Sequence, residues 1–154
     1  MDNFTESTPN LYRLDLTRPY RGLRLWLPLM LHGVGAFREA LAEKLSLART
    51  FHRCLQRLID EGLGIEIVAE PQLSIVAFRL SRRPGEPLKE WNARNESFHR
   101  LINEPQRSFI TSTQLTVADG KALTLRVCVL SHRTHIEHVE RCIEDIERAA
   151  RVAH

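Results

Sequence analysis

The sequence predicts an α+β fold: a four-stranded antiparallel sheet covered by helices on one face, with a long N-terminal helical segment. Three observations predict it. Apolar residues recur at spacings of three and four in long segments, the mark of amphipathic helices. Two pairs of short runs rich in β-branched and aromatic residues lie between those segments, each pair joined by turn residues. The resulting order is helix, strand, strand, helix, strand, strand, helix, and a sheet backed by helices is how such a chain buries its apolar faces.

Residues 1–17 are polar, contain Pro9 and show no period, so they read as an arm. Residues 18–62 read as an apolar connecting helix followed by a long helix. After Gly33, Val34, Phe37, Leu41, Leu45, Ala48, Phe51, Leu55 and Leu58 form one stripe, and Gly62 and Gly64 end it. Residues 63–154 read as the α+β domain. "IEIVAE" and "LSIVAFRL" should pair as a hairpin across Pro71 and Gln72. Leu88, Trp91, Asn95, Phe98 and Ile102 mark the middle helix. "RSFITSTQLTV" and "ALTLRVCVL" flank Asp119 and Gly120, a two-residue hairpin signal. Leu123, Leu125, Val127 and Val129 alternate, so one face of that strand should be buried. The last helix has a capping box in Thr134 and Glu137 and a buried stripe of Ile136, Val139, Ile143, Ile146 and Ala150. Glu137 with Arg141, Glu144 with Arg148 and Glu147 with Arg151 are acid-first pairs four residues apart on its solvated side.

Composition narrows the function classes. With 154 residues, 43% hydrophobic and 27% charged, the chain has the balance of a folded domain rather than a disordered one. The net charge is only +3 and the cations are interleaved with glutamates, so a nucleic-acid partner is not expected. Cys54, Cys128 and Cys142 each sit in an apolar-periodic segment and read as small buried hydrophobes, which fits a reducing, cytoplasmic setting. The run Leu25–Leu31 holds seven apolar residues and includes Pro28. A membrane span takes about 20, so no membrane insertion is expected. Asp2, Glu6 and Asp15 lie where an export signal would be basic, which argues against one.

Candidate chemistry is sparse. His132, His135, His138 and Cys142 cluster, and His138 and Cys142 share a helix face, so with one further ligand they would suit zinc. Histidines on a helix surface are the plainer reading, and no metal is expected. No glycine-flanked nucleophile and no glycine-rich phosphate loop is present. Arg126 stands in an apolar strand with Leu125 and Val127 directed to the opposite face; it either faces solvent or offers its planar fork to a carboxylate.

Three segments in series, "DLTRPYRGLRLWLPLMLHGVGAFREALAEKLSLARTFHRCL", "IEIVAEPQLSIVAFRL" and "ALTLRVCVLSHRTHIEHVERCIEDIERAA", resemble the carboxyl-terminal part of the group II pyridoxal-phosphate-dependent decarboxylases. That family includes the aromatic-L-amino-acid, glutamate and diaminobutyrate decarboxylases. The resemblance covers residues 11–153 in order. It implies the small domain of a fold-type I pyridoxal phosphate enzyme, an amino-acid carboxy-lyase. Such enzymes hold the cofactor on a lysine that follows a histidine, with an aspartate at the pyridine nitrogen. Only Lys44, Lys89 and Lys121 occur here, in helix or turn contexts, and none follows a histidine. The resemblance therefore implies pyridoxal 5'-phosphate in the full-length family, no covalent attachment to this chain and no catalytic residue within it. Its implied partner is the cofactor-binding large domain, in the same or a separate chain, within a homo-oligomer.

The resemblance also assigns positions. Arg18 and Arg21 correspond to the link after the mobile catalytic loop, as possible active-site contacts. Arg126 lies on a strand that in related aminotransferases carries an arginine for the substrate carboxylate, and it is equally a candidate interdomain contact. Two expectations follow: a small-domain portion of a decarboxylase, inactive by itself, or a stand-alone binding or dimerisation module. In either case Leu25, Trp26, Leu27 and Leu29 should include side chains without a partner. Which amino acid is the substrate stays open.

Overall fold

A computed structural model describes residues 22–153. The chain divides into two compact units, residues 1–37 and 38–154. Helix α1 (Leu23–Asp60) begins in the first unit, where Pro28 lies inside it and Gly33, at φ 73° and ψ 161°, leaves helical geometry. A residue with a Cβ would be strained at that φ. Within this unit Leu25, Trp26, Met30 and Leu31 are 65%, 52%, 65% and 70% exposed, and Leu29 is half-buried.

The second unit holds the rest of α1, then β1 (Ile65–Ile67), β2 (Ile75–Leu80), α2 (Leu88–Asn103), β3 (Thr111–Val117), β4 (Gly120–Cys128) and α3 (Ile136–Ala153). The strands form one sheet in the order β1-β2-β4-β3. Every neighbouring pair is antiparallel, with Ile65 opposite Leu80, Phe78 opposite Leu125 and Thr113 opposite Thr124. The predicted α+β architecture is thus observed. Val76, Phe78 and Leu80 are buried on one face of β2. Phe78 meets Phe51 of α1 with ring centroids 6.1 Å apart and Phe98 of α2 at 6.3 Å. Val139, Ile143, Ile146 and Ala150 of α3 join the same core.

Beyond Phe78 and Leu125, where the pairing of β2 with β4 ends, the two central strands are served by α2. Asn95 Oδ1 accepts from the Leu80 amide at 2.8 Å, and the Trp91 indole donates to the Leu80 carbonyl at 2.7 Å. On the β4 side, the Asn92 amide accepts from Leu123 N–H at 2.7 Å and donates to the Lys121 carbonyl at 2.9 Å. Asn103 does the same for both backbone groups of Ile110, ahead of β3. Backbone groups of strands need partners wherever the ladder stops.

Several local expectations are corrected. The two-residue loop of the second hairpin is Ala118 and Asp119, because Gly120 already pairs with Val117. Gly120 has φ 143°, and a Cβ there would stand 2.7 Å from Leu88 Cδ2, so glycine serves the close approach of α2. Lys121 is accordingly a strand residue. The reach-back contact at the start of α3 is made one residue later than Thr134 and Glu137: the His135 amide donates to His138 Nδ1 at 3.2 Å. Of the three predicted pairs on α3, Glu147–Arg151 forms at 2.7 Å, whereas Arg107 reaches Glu144 and Arg148 reaches Asp145. Cys142 is buried, Cys54 half-buried and Cys128 exposed, so the buried reading fails for Cys128. The α1 stripe is buried only in part; Val34 and Leu41 are exposed while Ala48, Phe51, Leu55 and Leu58 are fully covered.

Candidate functional site

Arg126 lies on the sheet face opposite Leu125, between Ala77 of β2 and Thr111 of β3. It is exposed, and its Nε donates to Thr111 Oγ1 at 3.3 Å while the Thr111 hydroxyl donates to the Arg126 carbonyl. Among the described residues no carboxylate pairs with it. A guanidinium held at its Nε keeps its outer donors free, which is the geometry that suits a planar carboxylate. Arg18 and Arg21 lie outside the described residues.

At the end of the sheet, β3 enters, β4 leaves and α3 begins around a half-open cavity of about 270 Å3. Its apolar walls include Phe51, Phe109, Ile110, Val127 and Val139, and its polar lining includes Arg107, Thr134 and His138. Cys142 lines it too, and burial pushes its thiol up to about 11, with the nearby Ser108 hydroxyl opposing and Asp145 reinforcing the shift. A thiol so protonated is a poor nucleophile. His138 and Cys142 share this lining, but among the described residues no three histidine, cysteine or carboxylate side chains gather as a metal site would require. His135 turns elsewhere, with Nδ1 3.1 Å from Glu43.

Buried charge nearby is structural. Asp145 is fully buried; Arg107 donates to its Oδ1 at 2.5 Å and Arg148 at 3.4 Å, while Oδ2 has no hydrogen-bond partner. Arg79 bonds Glu66 at 2.5 Å and lies 4.5 Å over the Trp91 ring. Sequence reading passed over both, because Arg107 lies 38 residues from Asp145 and Arg79 lies 13 from Glu66; only Arg148 is a near neighbour, three residues from Asp145.

The three lysines are dispersed. Lys44 is buried, and its ammonium donates to the Thr134 carbonyl at 2.7 Å and to Glu43 at 2.9 Å. Lys89 and Lys121 are exposed. A pyridoxal phosphate site asks for a lysine free to attack, a carboxylate for the ring nitrogen and donors for the phosphate. Lys44 is already committed to its carbonyl and carboxylate, so its ammonium is not free to attack.

No protein-family model matches the chain. It is 28% identical over 139 residues to tyrosine decarboxylase 2 of Arabidopsis thaliana, which spans 90% of this chain and 24% of the relative. It is 30% identical over 140 residues to the aromatic-L-amino-acid decarboxylase of Bacillus atrophaeus, covering 89% of this chain and 27% of that one. The solved tryptophan decarboxylase of Catharanthus roseus in complex with L-tryptophan superposes with a TM-score of 0.69 at 26% identity, over 88% of this chain and 27% of its own. A structure of the Oryza sativa protein TDC with PLP and tryptamine shares the fold, with a TM-score of 0.70 at 21% identity. The chain spans about a quarter of the length of the curated relatives it matches. Over about nine-tenths of its own length it thus resembles the group II pyridoxal-phosphate-dependent decarboxylases, consistent with their carboxyl-terminal small-domain portion.

Proposed function

We propose that these residues supply the small-domain part of a pyridoxal-phosphate-dependent decarboxylase of aromatic L-amino acids, residues 63–154 being the small domain proper. A lysine-bearing cofactor domain in the same or a separate polypeptide completes it. The carrying observation is the match, over nine-tenths of the chain, to decarboxylases of tyrosine and other aromatic amino acids. A helical stretch exposing Leu25, Trp26, Met30 and Leu31 adds support, since a helix apolar on several sides belongs inside a larger body. None of the described helices is long and apolar enough to cross a membrane.

When bound, the cofactor accepts electrons as carbon dioxide leaves. In this reading the chain's own contribution is to pack against the cofactor domain and exclude water. Arg126 offers its free donors to a substrate carboxylate or to a carboxylate of the cofactor domain, and Arg18 and Arg21 lie along the link to the active site. The assembled enzyme is a homo-oligomer working in the cytoplasm. The same exposed helix would equally serve a non-catalytic dimerisation module.

Two measurements test the reading. The 154-residue chain with pyridoxal phosphate should give no borohydride-fixed lysine adduct; a stoichiometric adduct would overturn the division of labour. Joined to its cofactor domain, it should release carbon dioxide from carboxyl-labelled L-tyrosine or L-tryptophan. Release from no aromatic amino acid would overturn the decarboxylase assignment and leave the binding module.

A further inference from the structure

The cavity of about 270 Å3 lies where the sheet opens. Pairing of β3 with β4 starts at Thr111 and Arg126, whereas β4 runs on through Cys128. The Val129 amide bonds the Ser74 carbonyl on the β2 side. Alternation along an antiparallel strand therefore turns the amide and carbonyl of Cys128 the other way, toward the space that β3 leaves. Ser108, Phe109 and Ile110 line that space on their way into β3, and the first turns of α3 line it from another element. Asn103 holds both backbone groups of Ile110, so this wall is fixed in place.

Its hydrogen-bonding capacity is unspent and of one kind. The Ser108 hydroxyl is buried near the Cys142 thiol without a hydrogen-bond partner. A buried hydroxyl left so is costly, and a group entering the cavity would complete it. His138 Nδ1 accepts from the His135 amide, so the ring hydrogen sits on Nε2 as a donor, and among the described residues nothing accepts it. Thr134 uses its amide and its carbonyl, which leaves its hydroxyl free. Arg107 adds a cation, held by Asp145 and Glu144 through its outer nitrogens with Nε uncommitted. No aspartate or glutamate lines the cavity. The polar side chains there thus all offer donors, and an entering ammonium would meet no carboxylate.

The walls are apolar and two of them are phenyl rings, Phe51 and the 82% exposed Phe109. A cavity of about 150 Å3 accommodates a benzene ring, so this one has room for a single ring and a short arm. Aromatic walls favour an aromatic occupant through offset and edge-to-face contacts. We propose that this cavity is a binding site for a monocyclic aromatic carboxylate, with the ring against Phe51 and Phe109 and the carboxylate accepting from Ser108, Thr134 and His138. Convergent polar groups in a mostly apolar pocket are what fixes the orientation of a small ligand. The missing acceptor sets an aryl acid apart from an aromatic amino acid or amine, whose ammonium would be left unpaired. The site shares no residue with the arginines assigned to the substrate carboxylate or the active-site link, and it does not depend on the decarboxylase reading.

Titration of the 154-residue chain, labelled with 15N, with sodium phenylacetate tests it. Amide resonances of Ser108–Ile110, Val127–Val129 and Thr134–Cys142 should shift saturably, and Tm should rise with phenylacetate concentration. 2-Phenylethylamine and 2-phenylethanol, which replace the carboxylate by an ammonium and a hydroxyl, should bind roughly tenfold more weakly or worse. Ser108→Ala should weaken phenylacetate binding by about threefold or more while leaving the Tm of the free chain unchanged or higher, a combination that loss of structure cannot produce. Phe109→Ala, at an exposed position, should weaken binding of all three probes and serves as the readout if the Ser108 variant fails to fold. No saturable shift with phenylacetate, equal binding of the amine or the alcohol, shifts confined to other residues, or native affinity in both variants would each overturn the proposal.

Discussion

Asn95 occupies a position that apolar spacing assigns to the core, and it is fully buried there. Its amide takes the Leu80 N–H and gives a hydrogen to the Trp91 carbonyl at 3.0 Å. Asn95→Leu keeps the approximate volume but strands a buried amide, so it should cost about 2 kcal/mol, read as a lower denaturant midpoint at unchanged slope. Glu86 illustrates charge in a partly covered setting. Arg94 donates to both its oxygens, at 2.9 and 2.8 Å, and holds its carboxyl down to about 2 from an ordinary 4.5; burial opposes the shift, and the Arg83 amide adds to it. Because the folded value is the lower one, this carboxylate stabilises the fold above about pH 4.5, and that contribution is lost as pH falls toward 2. Glu86→Gln should therefore be less stable at neutral pH and lose less on acidification through that window, measured by urea unfolding at successive pH values. Neither role shows in a linear reading: asparagine in an apolar stripe signals only that something must satisfy it.

At the scale of elements, α2 does two jobs. It contributes Trp91, Phe98 and Ile102 to the buried set, and it supplies polar side chains where strands lack neighbours. That dual role explains Gly120, where β4 starts against Leu88 at the head of α2. Gly120→Ala would force a Cβ to 2.7 Å from Leu88 Cδ2 at a φ of 143°, and should destabilise by about 1 to 3 kcal/mol, read in thermal unfolding. Turn chemistry in the sequence found this hairpin but misplaced its loop by one residue, since Asp-Gly favours a turn wherever glycine's conformational freedom is used, and here packing used it. The start of α3 shows a similar displacement. A histidine nitrogen can receive the amide that a glutamate would otherwise take, so spacing alone chose the wrong partner.

For the whole molecule, every side chain in the core cluster lies between Leu47 and Ala150. Removing residues 1–37 should leave a unit that unfolds cooperatively with a Tm within a few degrees of the full chain, checked by calorimetry. Loss of the cooperative transition would show that the first unit completes the core. The order of elements, the helix and strand periods and the decarboxylase resemblance were all legible in the sequence, because amphipathic period and turn chemistry are written into neighbours a few residues apart. Tertiary structure alone decided that Cys128 is exposed, that Arg107 and Arg148 serve the buried Asp145, that Lys44 is tied to the Thr134 carbonyl, and that Phe109 stands beside a cavity. Lys44 and Thr134 are 90 residues apart in the chain. Contacts over such separations are selected by which faces pack and which polar groups must find partners once water is excluded, and local patterning carries no record of that choice.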